Sequence, residues 1–94
     1  MLRTFDPVIF GRRVMAARVL AGMRDRRTLA RQMRRMGVMC STDDVREWES
    51  GATVPRFDEV AGLLIVLAPP GGVDWFREAV GPADRDRLRR MEGV

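Results

Sequence analysis

Between Ser41 and Gly51 the chain reads Ser-Thr-Asp-Asp-Val-Arg-Glu-Trp-Glu-Ser-Gly, a segment that carries its own start and stop signals. A serine hydroxyl can take up an unpaired backbone N–H at a helix N-terminus, and glycine tolerates the left-handed conformation that ends one. The spacing therefore predicts one short helix over Thr42 to Ser50, released into Val54-Pro55. Val45 and Trp48 fall one turn apart and define its buried face, which leaves Thr42, Asp43, Arg46 and Glu47 pointing outward. So short a helix cannot stand alone in water. It must be held by neighbours, and its polar face then suits insertion into a DNA groove or against a partner protein.

The neighbours are also legible as helices. Asp6-Pro7 is a cap followed by a first-turn proline, opening a helix over about Pro7 to Gly22 with Phe10, Val14, Ala17 and Ala21 at core spacing. A second stripe on it, Val8, Met15 and Val19 with Leu20 beside it, suits packing on the C-terminal segment or on another subunit. Asp25 caps a second helix, about Arg26 to Met36, with Leu29, Met33 and Met36 as its buried line and Gly37 as the stop. A short connection leads to the third helix. A fourth helix is predicted over about Phe57 to Leu67, with Val60, Leu63, Leu64 and Leu67 inward. Pro69-Pro70-Gly71-Gly72 breaks it, and Asp74-Trp75-Phe76 starts a fifth. Pro82 to Met91 has only Leu88 and Met91 as apolar anchors, so it reads as a marginal helix or a frayed tail. No strand pattern emerges, and the expected class is all-α.

The 94 residues suffice for a single small core. One cysteine, Cys40, excludes an internal disulfide, and the absence of histidine makes a zinc site improbable. Cys40 precedes a helix, where a thiol pKa can fall, although a buried and inert thiol is the simpler expectation. No cofactor motif is present. Without His, Lys or Tyr most of the usual catalytic bases and nucleophiles are missing, so an enzyme is not expected. The longest uncharged run, Val60 to Val73, is too short for a bilayer span and contains two prolines, and cytoplasmic residence is the default. All 17 basic residues are arginine, a bias of GC-rich coding that by itself says little about nucleic acid. Their placement says more. Residues 1–37 carry ten Arg against two Asp, residues 38–80 three Arg against eight acids, and the last fourteen four Arg against three acids. One half of the molecule attracts phosphate and the other resists it.

Helices in this order, with the second and third closely linked, resemble the lambda-repressor/Cro-like helix-turn-helix family, also called the xenobiotic-response-element type. The resemblance rests on Phe10-Gly11-Arg12-Arg13-Val14 with Arg18, Ala21-Gly22-Met23, Leu29-Ala30, Val45-x-x-Trp48-Glu49-x-Gly51 with Pro55, and Val73-Asp74-Trp75-Phe76. It implies a five-helix lambda-repressor-like DNA-binding domain over residues 1–80, with residues 81–94 a C-terminal helix or frayed tail. It further implies a structural salt bridge between Arg18 and Glu49. Base reading would fall to Thr42, Asp43, Arg46 and Glu47, and phosphate binding to Arg26, Arg27, Arg31, Ser50 and Arg56. Two departures from the family pattern stand out. Asp43 and Glu47 place acids on the reading face, where phosphate repels them and a cytosine amino group is their usual donor, and Arg46 is the one strong guanine reader. The loop after the third helix offers only Arg56, so Arg26, Arg27 and the Arg31, Arg34 and Arg35 cluster would carry the anchoring.

Two functions follow as expectations. One is a small transcriptional regulator, a phage repressor, Cro-like or antitoxin-like, that binds double-stranded DNA as a homodimer. The other is a helix-turn-helix used as a protein-interaction module, for instance a phage protein acting on a host factor, because the reading face is acidic. For Asp43-Asp44 the simplest role is favourable interaction with the helix dipole rather than metal binding. Trp48 and Trp75 are expected in the core.

Overall fold

The computed structural model describes residue 2 and residues 4–92. Among them lie five α-helices: α1 (Pro7–Leu20), α2 (Arg26–Arg35), α3 (Thr42–Ser50), α4 (Phe57–Leu67) and α5 (Pro82–Glu92), with a 3₁₀ turn at Gly72–Phe76. The sequence sets most of these limits locally. The Asp6 carboxylate accepts from the N–H groups of Val8 and Ile9, that of Asp25 from Thr28, and the Ser41 hydroxyl from Asp44. Asp44 answers by accepting from the Ser41 N–H at 2.8 Å, so the start of α3 is capped from both directions. At the other end Gly51 stands at φ 79°, which lets α3 stop after nine residues.

One core joins all five helices. Phe10, Val14 and Ala17 of α1 meet Leu29, Ala30 and Met33 of α2, Val45 and Trp48 of α3, and Val60, Leu63, Leu64 and Leu67 of α4. Phe10 sits between Phe5 and Phe76 with ring centroids 4.9 and 4.8 Å away. Such fully buried side chains contribute roughly 1.5 to 3 kcal/mol each. α1 and α3 approach so closely that a Cβ on Gly11 would stand 2.6 Å from the Glu49 carbonyl oxygen. Only glycine fits there.

Two expectations change. Ala21 and Met36 are exposed, because each caps its helix at the end of the periodic stripe, where the chain already turns from the core. Asp74-Trp75-Phe76 does not open an α-helix: Gly71 and Gly72 enter the segment with positive φ, and it closes as a single 3₁₀ turn. Of the two forms expected for the C-terminal segment, it takes the helix. Leu88 of α5 is fully buried, and Arg87 lies 4.2 Å over the Phe57 ring. The N-terminal segment closes over the same region, with an isolated antiparallel bridge between Phe5 and Val80. Thr4 donates its N–H to the buried Asp84 carboxylate at 3.2 Å.

The connection from α2 to α3 runs from Met36 to Ser41 and is braced. Gly37 at φ 88° turns the chain, the Val38 N–H donates to the Met33 carbonyl, and Arg34 reaches forward to donate to the Cys40 carbonyl at 2.7 Å. No helix among the described residues is long and apolar enough to cross a membrane.

Candidate nucleic-acid interface

Glu49, at the end of α3, is buried, and a buried carboxylate needs partners. Arg18 of α1 supplies two, donating from Nε at 2.7 Å and from Nη2 at 3.3 Å. The remaining nitrogen, Nη1, donates to the carbonyls of Met23 and Arg24 at 2.9 Å each. One guanidinium thus ties α1, the α1–α2 turn and α3 together. Arg26, in the first turn of α2, adds a third donor to Glu49 from its Nε at 2.9 Å. The site assigned to phosphate therefore has a structural role as well: part of Arg26 is committed to holding α2 against α3.

Beside this network opens a cleft of about 440 Å³ lined by Arg18, Arg24, Asp25, Arg26, Arg27, Thr42 and Arg46. Five guanidinium groups face one carboxylate. Asp25 is itself occupied as the α2 cap, and its carboxyl is held below the ordinary range by the Thr28 N–H first and the Thr28 hydroxyl second, with Arg27 and Arg31 adding to this. The cleft brings together the first turns of α2 and α3, where backbone N–H groups and helix dipoles favour an anion. Of the residues assigned from sequence, Arg26, Arg27, Thr42 and Arg46 meet here. Arg24 lines the cleft as well, directly before the Asp25 cap in a basic run that gave no separate signal in the sequence.

The remaining assigned residues are distributed differently. Thr42, Asp43 and Arg46 are exposed on α3 and Glu47 is half-buried. Arg46 is not free: its Nη2 donates to Asp43 at 2.5 Å, one turn earlier. Arg46 and the neighbouring acid form a single exposed ion pair. Ser50 is exposed, with its hydroxyl donating to the Glu47 carbonyl at 3.0 Å. Arg56 pairs with Asp58 at 3.2 Å and with Glu59 at 3.7 Å, and these acids raise its pKa, the Asp58 hydrogen bond most strongly. Arg31 lies on the outer face of α2, away from the cleft lining.

Trp48 is buried in the core. Trp75 is half-buried, donates its indole N–H to the Arg13 carbonyl at 2.9 Å, and carries the Arg13 guanidinium 5.3 Å over its ring. Cys40 is buried, and desolvation first, then Asp44 and Glu59, push its thiol up to about 11. It is an inert thiol at neutral pH. Comparison of the chain with protein-family models, curated proteins and solved structures finds no match.

Proposed function

We propose that this chain is a DNA-binding transcriptional regulator of the repressor, Cro-like or antitoxin-like kind, with α3 entering the major groove. The observation that carries this reading is the arginine-lined cleft at the joined first turns of α2 and α3. It adjoins the exposed face that bears Thr42, Asp43 and Arg46. A phosphate seated against Arg24 and Arg27 fixes the register of α3, and base edges are then read by the face beside it. The Arg18–Glu49–Arg26 network keeps the two helices in the relation this requires. The exposed Val8, Met15 and Val19 stripe of α1 supports assembly into a dimer on a two-fold operator.

The test is fluorescence anisotropy with duplexes enriched from a random library, read against scrambled duplexes at low and near-physiological salt. Sequence-dependent binding that persists at the higher salt supports a regulator. Enrichment of no sequence would sink the reading.

A second reading, a protein-interaction module, draws on a different observation. The Asp43–Arg46 pair leaves the α3 face with little net positive charge, while Val19 and Leu20 of α1 are each more than 60% exposed. Here a partner protein covers the α1 stripe and DNA is not bound. Substituting Val19 and Leu20 with polar residues separates the two: loss of partner capture with no DNA affinity to lose favours the module.

A further inference from the structure

We infer that the outward face of α2 is a polyanion-binding ridge, in which Arg27, Arg31 and Arg35 follow a phosphodiester backbone beyond the cleft. This extends the DNA-binding reading and rests on it for the class of polyanion.

Several surface arginines stand beside an acid, although Arg12, Arg24, Arg77 and Arg90, like the outward arginines of α2, enter no ion pair among the described residues. Arg13 pairs with Glu78, Arg46 with Asp43, Arg56 with Asp58, Arg87 with Asp84, and Arg89 with both Asp74 and Asp86. On α2 only Arg26, turned toward Glu49, is paired, and what sets the outward arginines apart is their clustering on one face. The helix contains no acidic residue, and Arg27, Arg31 and Arg35 enter no ion pair among the described residues. All three are exposed, and they stand opposite the buried side formed by Leu29, Ala30 and Met33. They also repeat at intervals of four, which places like charges over one another on successive turns. That arrangement destabilises a helix. Solubility alone requires no such repulsion, since mixed charges serve it as well.

A linear polyanion removes the repulsion. Four residues of helix rise about 6 Å, so Arg27 to Arg35 spans about 12 Å, long enough to meet successive phosphates of one DNA strand. Arg27 belongs both to the cleft lining and to the ridge, so a backbone entering the cleft continues along α2 without a break in charge. The ridge reads no bases. Its contribution is affinity for any sequence, which the partly neutralised face of α3 does not supply.

The experiment compares the native chain with R31Q/R35Q and with R89Q/R90Q, an equal charge change on α5. For each, the logarithm of affinity is followed against the logarithm of salt on two duplexes of unrelated sequence. Each lost phosphate contact removes about 0.9 from the slope, so R31Q/R35Q is expected to flatten it by about 2 on both duplexes. The α5 variant should leave it nearly unchanged. Thermal melting guards against misfolding, and R31Q/R35Q should melt no lower than the native chain because the repulsion is relieved. An unchanged slope overturns the ridge, as does an equal change in the α5 variant. Competition by polyglutamate as effective as by DNA at matched charge also overturns it, in favour of an acidic protein surface. Flattening without preference between any duplexes leaves the ridge standing and refutes base reading by α3. An intact preference with an unchanged slope refutes the ridge alone.

Discussion

Arg18 holds Glu49 through two nitrogens, at 2.7 and 3.3 Å, and their side chains are only 7% and 1% exposed. The pair lies where three pieces of chain converge, and the geometry of α3 against α1 depends on it. Removing one partner leaves a buried charge without its counterion. Glu49→Ala and Arg18→Ala are each expected to lose about 3 to 5 kcal/mol in denaturant unfolding. Arg26→Ala should cost much less, since its side chain is 39% exposed and solvent compensates it. Replacing both buried partners with apolar residues is expected to recover much of the loss. A double variant as unstable as the sum of the singles would show that the pair does not act as a unit.

Gly11 offers a prediction whose sign runs against helix propensity. In an exposed helix interior Gly→Ala usually stabilises by about 0.5 to 1 kcal/mol. Here the added methyl would press on the backbone of Trp48 and Glu49, so Gly11→Ala is expected to destabilise by about 1 to 3 kcal/mol. A raised melting temperature would show that α1 and α3 can separate at little cost.

Asp43 and Arg46 should move DNA binding in opposite directions. Arg46→Ala is expected to lose about 1 to 3 kcal/mol at one base-pair position. Asp43→Asn frees the guanidinium and removes a charge that phosphate repels, so it should tighten binding. Neither should change stability much, because exposed pairs contribute about 0 to 1 kcal/mol. An affinity measurement in which Asp43→Asn weakens binding at a cytosine-bearing site alone would reassign Asp43 from competitor to base reader.

Leu88 tests whether α5 is part of the fold. It is 1% exposed and is the one fully buried apolar side chain of that helix, so Leu88→Ala should cost about 2 to 5 kcal/mol and lower the protection of α5 amides from exchange. Exchange in α5 equally rapid in both proteins would mean that the helix is already detached in solution.

Cys40 gives a pH window free of interference, because the chain has no Lys or Tyr. Its folded pKa, about 11, lies above the ordinary thiol value of 9.0. Between those values the unfolded chain loses the thiol proton while the folded one keeps it, so stability falls as pH rises through the window. The loss is on the order of 2 kcal/mol. Cys40→Ala should flatten the profile from pH 9 upward, and alkylation of the native thiol at pH 8 should be slow until denaturant is added.

Local chemistry made much of the fold legible. α3 and α4 have the boundaries read from sequence, because Ser41, Gly51 and the break after Leu67 act within a few residues of themselves. The buried faces of α1 to α4 followed from helical period except at Ala21 and Met36, where periodicity continues past the point at which the helix ends. The turn at Gly72–Phe76 is not legible locally, because an aspartate before two aromatics looks the same at the start of an α-helix or a 3₁₀ turn. Asp84 gave no sign of burial. The N-terminal segment, eighty residues earlier, reaches it through the Thr4 N–H.

The candidate site divides in the same way. Composition and order determined where the arginines are, and hence which half of the chain attracts phosphate. Only the tertiary structure decided which of them remain available. Arg26 turns partly to Glu49, while Arg46 and Arg56 pair with Asp43 and Asp58. Arg27, Arg31 and Arg35 enter no ion pair among the described residues, although Arg27 and Arg31 act on the Asp25 carboxylate from a distance. The reason is geometric: a formal charge belongs to the residue, whereas its partner is set by which side chains the packing of α1, α2 and α3 brings within hydrogen-bonding reach.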